Sequence, residues 1–371
     1  MGPLAGTTVI EIAALGPAPV CGMILADFGA EVILVEREST NPNALKVTAD
    51  HSRSMFYKRG KKSVVLDLKQ PQGVDAILHL CESADVLIEG FRPGVMERLG
   101  LGPDVCLAKN KRLVYGRQTG WGQTGPLAHA AGHDINYAAL AGALYYTGHD
   151  GEAPFTPPTV VGDIGGGAMT LAFGILAALQ HANKTGEGQV IDAAVTDGTT
   201  YMMTLLASAR QMGLLAEPRG SSVFSGGAPW YQSFECADGG YITVGSLEPR
   251  FYRLLLEKCD LQDDPDFAEQ FSTKDWPRAI ITLGKLIRQK TRAEWCDLLE
   301  GSDVCFAPVL NLDEASKHPH NLVRETFVNV DGNLQPAPAP KLSKTPARAG
   351  SVAEVGEHTD DILNAQLKSR V

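Results

Sequence analysis

The chain has 371 residues, 44% of them apolar and 20% charged, with a formal net charge of −10 at pH 7. That length exceeds what one hydrophobic core usually reaches, so two domains are expected, and the apolar share excludes a chain that is disordered throughout. The acidic balance excludes broad nucleic-acid binding, yet it leaves room for a local basic pocket facing a phosphorylated ligand.

The first part of the chain alternates β-branched runs with helical patterns. Strands are expected at Thr7–Ile12, Glu31–Val35, Ser63–Leu68, Asp85–Ile88 and Arg112–Gly116, and helices at Pro17–Phe28 and Gln72–Cys81. This is the rhythm of βαβ units around a mostly parallel sheet, hence an α/β, Rossmann-like domain. The loop after the first strand reads Ala14-Leu15-Gly16-Pro17-Ala18-Pro19. It has no G-x-G-x-x-G, and its prolines remove amides that a pyrophosphate would use, which argues against a nicotinamide dinucleotide site.

A local excess of positive charge (Arg37, Arg53, Lys58, Arg59, Lys61 and Lys62) reads either as a phosphate-facing pocket or as a solvated loop. Further on, Ala168–His181 reads as a buried helix, and a second helical stretch runs from about Ala193 to Met212. From about Gly220 the texture changes. Trp230–Glu235 and Tyr241–Gly245 flank an Asp-Gly turn and form a hairpin. Amphipathic helices at Pro249–Lys258, Pro277–Gln289 and Arg292–Glu300 and an extended Ala307–Leu310 complete a compact α+β unit. Four prolines between Leu334 and Pro346 mark an extended strap. The expected plan is a large Rossmann-like domain over 1–200, a linker over 201–225, a small α+β domain over 226–325 and a strap over 326–371 that returns to the large domain.

The seven cysteines (Cys21, Cys81, Cys106, Cys236, Cys259, Cys296 and Cys305) have no paired spacing. Reduced, buried thiols are expected, and no zinc or dithiol motif. No secretory signal and no apolar run of membrane-spanning length is read. The end of the chain carries Val371 where a peroxisomal signal has Leu, so the cytoplasm is the expected location.

Two stretches carry chemistry. His133 stands in Gly132-His133-Asp134-Ile135-Asn136-Tyr137, and Asp163 in Gly162-Asp163-Ile164-Gly165-Gly166-Gly167. An imidazole and a carboxylate in glycine-rich surroundings can close on a small reacting centre as an acid/base pair. Read singly, His133 is a structural histidine and Asp163 a helix N-cap. Asp134 competes with Asp163 for the carboxylate role or orients the histidine. Glu248 reads as a first-turn helix acid or as a group covering the site. Gly165, Gly166 and Gly167 provide either close helix packing or amides for a developing oxyanion.

Together with Leu66-Asp67-Leu68-Lys69, Ala84–Pro93, Gly120–Gly125, Gly226-Gly227-Ala228-Pro229 and Asp303–Leu310, these stretches resemble the α-methylacyl-CoA racemases, a branch of the class III (formyl-CoA) CoA-transferase family. The resemblance implies an interlocked homodimer of the CoA-transferase family III fold. It also implies interconversion of (2R)- and (2S)-2-methylacyl-CoA through an enolate, with no metal or other cofactor, CoA being part of the substrate. His133 and Asp163 would be the acid/base residues, supported by Asp134 and by Glu248, the latter reaching the partner chain's site. Arg37, the Leu66, Asp67, Leu68 and Lys69 segment, Glu89, Arg92, Gly132 and Tyr137 would contact the coenzyme. The chain departs from those racemases at Thr159, where they carry Asn, and at Phe224-Ser225, where they carry Leu-Asp, on the acyl side. A CoA-transferase in which Asp163 forms an acyl anhydride and a non-catalytic acyl-CoA binder are the competing readings.

Overall fold

The structure, a computed structural model, describes residues 1–37 and 54–368. Arg53 lies outside them. Two compact units divide the chain: Met1–Ala141, Pro157–Met202 and Leu322–Val371 form the first, and Gly142–Thr156 with Met203–Asn321 the second.

In the first unit six strands, β1 (Thr8–Ile12), β2 (Glu31–Glu36), β3 (Lys61–Val65), β4 (Val86–Glu89), β5 (Val114–Thr119) and β6 (Val190–Ala194), make a fully parallel sheet ordered β3-β2-β1-β4-β5-β6. Parallel strands covered on both faces need apolar residues at every position, which is why these runs are so rich in Val and Ile. Along β1 the alternation is direct. Val9 faces a layer formed by α1 (Pro17–Asp27) and the helix Thr170–Thr185 through Cys21, Leu25, Leu171 and Ile175. Ile10 faces the opposite layer, where α2 (Pro71–Cys81) contributes Ile77 and Leu80.

Buried charges interrupt that core. Glu11 is fully buried and pairs with Lys61 of β3, whose Nζ lies 2.9 and 2.6 Å from the two carboxylate oxygens and also donates to Pro19 O at 2.7 Å. Gly22 makes room for it, since a Cβ there would stand 1.7 Å from Glu11 Oε2. A second buried pair joins Arg59 to Asp27.

Several sequence expectations are corrected. β3 ends at Val65, so Leu66–Leu68 lies beyond the strand. The stretch from Ala193 is not one helix: it opens in β6, an edge strand, and continues as two helices, Val195–Met202 and Thr204–Gln211. Residues 160–185 form one continuous helical stretch, a π-helix over Val160–Met169 running into Thr170–Thr185, long and apolar enough by composition to cross a membrane. Its apolar residues Leu171, Ile175 and Leu179 pack beneath the sheet instead.

Of the expected linker over 201–225, all but residues 201 and 202 belong to the second unit, which also takes residues 142–156 from inside the expected large domain. Tyr145 donates to Glu217 at 2.7 Å and Arg219 to the His149 carbonyl at 3.0 Å, and these long-range ties group the two segments. The second unit has a three-stranded antiparallel sheet, Tyr231–Glu235, Tyr241–Gly245 and Phe306–Val309, covered by Pro249–Lys258, Trp276–Ile287 and Arg292–Leu299. Trp230, Trp276 and Trp295 fill its core.

Candidate active site

In the strand order 3-2-1-4-5-6 the chain leaves β1 towards one side of the sheet and β4 towards the other. This opens a crevice beyond the carboxyl ends of the two strands, where ligands of doubly wound sheets bind. A cavity of about 310 Å³ occupies this place. Leu15, Gly16 and Pro17 after β1, Gly90–Pro93 after β4 and Gln118–Trp121 at the end of β5 form its walls, and Gly132, His133, Tyr137 and Asp163 complete it.

His133 is the residue before the helix Asp134–Leu140, and its amide donates to Asn136 Oδ1 at 3.0 Å, satisfying a backbone group at the helix start. Its side chain is exposed to the cavity side, whereas the neighbouring Asp134 is buried. Asp134 Oδ1 accepts the amide of Asp163 at 2.7 Å. Gly162 is required for this approach, since a Cβ there would come within 2.3 Å of the same oxygen. The bond ties two segments 29 residues apart and answers the question the sequence left open: Asp163 lines the cavity, and Asp134 is spent on holding it.

Asp163 does not cap a helix, as its glycine-flanked position suggested; the cap position is Thr159, and Asp163 sits in the first turn of the π-helix, where Ile164 donates to the Thr159 carbonyl at 3.2 Å. Such wide turns are rare and gather at functional sites. Burial pushes the Asp163 carboxyl up from the ordinary range, the charge of Asp134 adds to that, and His133 opposes it. The imidazole and both carboxylates therefore act on one another electrostatically.

The glycine run beside them serves packing. A Cβ at Gly165 would stand 2.8 Å from Met202 Cε, at Gly166 2.2 Å from Thr199 Oγ1 and at Gly167 2.7 Å from Pro17 Cβ. Close approach of neighbouring helices is thus the reason for these three residues, and none of them lines the cavity.

Tyr137 stands edge-on against Trp121 with ring centroids 4.7 Å apart, and its hydroxyl donates to the Gly132 carbonyl. Gly120 and Gly132 accommodate the ring, since Cβ atoms there would lie 2.0 and 2.7 Å from it. Burial and the nearby Asp163 raise the Tyr137 hydroxyl pKa, while Arg92 lowers it.

Of the residues expected to contact a coenzyme, Arg92, Gly132 and Tyr137 line this cavity. Arg92 is exposed and has no side-chain partner among the described residues. Leu66–Lys69 and Arg37 follow β3 and β2 on the same carboxyl edge of the sheet, outside the cavity. Asp67 is engaged locally, its Oδ1 accepting the Lys69 amide at 2.9 Å.

Glu89 is corrected. It is fully buried, accepts from Arg117 Nε at 3.0 Å and from the Phe91 amide at 2.7 Å, and so anchors the Gly90–Pro93 wall without lining the cavity. The basic stretch is largely neutralised: Lys58 pairs with Glu36, Arg59 with Asp27, Lys61 with Glu11 and Lys62 with Glu31. Arg37 remains exposed. Glu248 lies in the second unit, exposed, at the cap position of Pro249–Lys258 and not in its first turn.

Sequence reading missed Leu15, Phe91 and Gln118 as cavity residues. Their signal was positional, each falling just after or at the end of a β-branched run.

The architecture is that of a doubly wound α/β protein with an imidazole and a raised-pKa carboxylate at the sheet's switch point, accompanied by a smaller α+β unit. The chain belongs to CoA-transferase family III, whose family model matches residues 4–359. It is 44% identical over 97% of its length to the mouse alpha-methylacyl-CoA racemase, covering 92% of that protein, and 41% identical to the human one with the same coverage. A crystal structure of a CAIB/BAIF family protein from Brucella suis superposes with a TM-score of 0.84 at 25% identity, covering 98% of this chain and 99% of that one.

Proposed function

We propose that this chain interconverts (2R)- and (2S)-2-methylacyl-CoA thioesters by removing and returning the α-proton. The observation that carries the reading is the pairing of His133 with Asp163 in one cavity wall system, with Asp134 holding the aspartate by its own amide. The similarity to racemases over 97% of the chain supports the substrate class.

The thioester carbonyl acidifies the α-carbon, and loss of the proton gives an enolate in which that carbon is planar. Inversion then needs a base on one side and a proton donor on the other. In one direction Asp163 takes the proton and protonated His133 returns one; in the other the roles exchange. The raised Asp163 pKa suits both halves, because a carboxyl titrating nearer neutrality is a better base than an ordinary aspartate and is still able to hold a proton. Arg92, Tyr137 and, further along the sheet edge, Arg37 and Leu66–Lys69 bind the coenzyme, whose remote binding energy positions the acyl chain.

Incubation of a single enantiomer of a 2-methylacyl-CoA in D₂O tests the proposal. Deuterium uptake at the α-carbon together with loss of optical purity is expected. Transfer of CoA to a free acid without α-exchange would establish instead the anhydride chemistry of a transferase at Asp163.

The same proposal includes a homodimer in which Glu248 reaches the partner's site. Met169, Phe173 and Leu176 form one helical stripe, exposed by 51, 73 and 44%, and Tyr201 is 79% exposed. Large apolar side chains on adjacent turns favour a covering surface. Light scattering on the eluting protein is expected to give twice the 39.6 kDa chain mass, with a single-chain mass overturning this part.

A further inference from the structure

The geometry points to Thr359, in the segment that returns along β3, as a positioning residue for the nucleotide end of CoA; this rests on the coenzyme contact proposed for Leu66–Lys69, which lies outside the cavity of His133 and Asp163 and so meets the end of CoA away from the thioester. β3 is an edge strand, so its outward backbone groups need partners from elsewhere. The returning segment provides them. The His358 amide donates to the Ser63 carbonyl at 2.9 Å, and the Val65 amide donates to Thr359 Oγ1 at 3.0 Å. The same hydroxyl donates to the Gly356 carbonyl at 2.8 Å, so its orientation is set. The Gly356 amide reaches Ser63 Oγ at 2.8 Å, which donates onward to Glu36 Oε2 at 2.7 Å.

On the inner side the Leu66 amide donates to the Glu36 carbonyl at 3.0 Å. Consecutive amides at the end of β3 are therefore held from opposite sides, Val65 by Thr359 and Leu66 by Glu36, at the point where Leu66–Lys69 departs. Ile362 packs against the same apolar layer as Leu66 and Leu68. Releasing the outer tie leaves Leu66–Lys69 to be ordered by its ligand, and that ordering weakens binding.

Titration calorimetry of CoA and of a 2-methylacyl-pantetheine, which lacks the nucleotide, against the full chain decides the matter. Thr359→Val is expected to weaken CoA binding about threefold to tenfold, the loss that follows from one hydrogen bond. Pantetheine-thioester binding stays unchanged, Thr359→Ser restores CoA affinity, and the KM for the acyl-CoA rises while kcat holds. Should Thr359→Val fail to fold, Ser63→Ala, which loosens the Gly356 turn, is expected to show the same selective loss. Unchanged CoA affinity, an equal loss for both ligands, or a parent chain that does not bind CoA would overturn the assignment. CoA affinity is read independently of turnover, so a chain that binds as expected but leaves enantiomers unmixed overturns the racemase reading and not the role of Thr359.

Discussion

Replacing His133 by alanine, or Asp163 by asparagine, is expected to lower racemisation by roughly 10²- to 10⁴-fold, the range that a positioned acid or base contributes. The two variants should fail differently. With one group gone, the survivor still removes the proton it faces and returns a deuteron to the same side, so one enantiomer exchanges without inverting. His133→Ala and Asp163→Asn should therefore retain exchange of opposite enantiomers in D₂O. Loss of exchange for the same enantiomer in both variants would sink the two-base mechanism.

Folding stability provides an independent check, with its sign set by the raised pKa of Asp163. A carboxyl whose pKa is higher in the folded chain than in the unfolded one binds its proton more tightly when folded. Its favourable contribution is present below the unfolded pKa and is lost as pH rises through the folded pKa. At pH 7 the ionised Asp163 thus works against folding, beside Asp134 and partly out of water. Asp163→Asn removes that opposition. The variant should unfold in urea at a denaturant concentration no lower than the parent's at pH 7, with the difference narrowing towards acid. An inactive but equally stable protein separates lost chemistry from lost structure.

Lys61→Met is expected to destabilise the first unit by about 3–5 kcal/mol, because it strands the Glu11 carboxylate in the core. Both side chains of this pair are at most 1% exposed. Burial raises the Glu11 pKa and lowers that of Lys61, and each partner opposes the shift in the other. Removing one therefore leaves the full desolvation penalty on the other. The double replacement Glu11→Leu with Lys61→Met should recover most of the loss, since an apolar pair of similar bulk serves such a site as well as an ion pair. Urea unfolding of both variants distinguishes this from a general effect of altering β3. Lys61 Nζ also holds the Pro19 carbonyl, two residues beyond Pro17 in the cavity wall, so the single variant should weaken CoA binding as well.

The sequence by itself determined the parallel sheet, because strands buried on both faces announce themselves in unbroken runs such as Val32–Val35 and Val86–Ile88. His133 and Asp163 stood out too, as polar groups set among glycines, and both line the cavity. β6 escaped notice because Val190–Ala194 is short, lies at the sheet edge and leads straight into a helix, so its pattern merges with the helical one. The π-helix was equally hidden, since nothing in Val160–Met169 distinguishes a wide turn from an ordinary one until Thr199, Met202 and Pro17 press against its glycines.

Only the tertiary structure decided which carboxylate faces the cavity, that Glu89 is buried behind a cavity wall, and that most of the basic stretch is already paired. Each answer rests on a contact between distant residues: Asp134 with Asp163 across 29 positions, Glu89 with Arg117 across 28, Glu11 with Lys61 across 50. A local pattern records which side chains are charged. Which charge meets which, and which is left to meet a substrate, is set by the parallel crossovers that bring separate strands side by side.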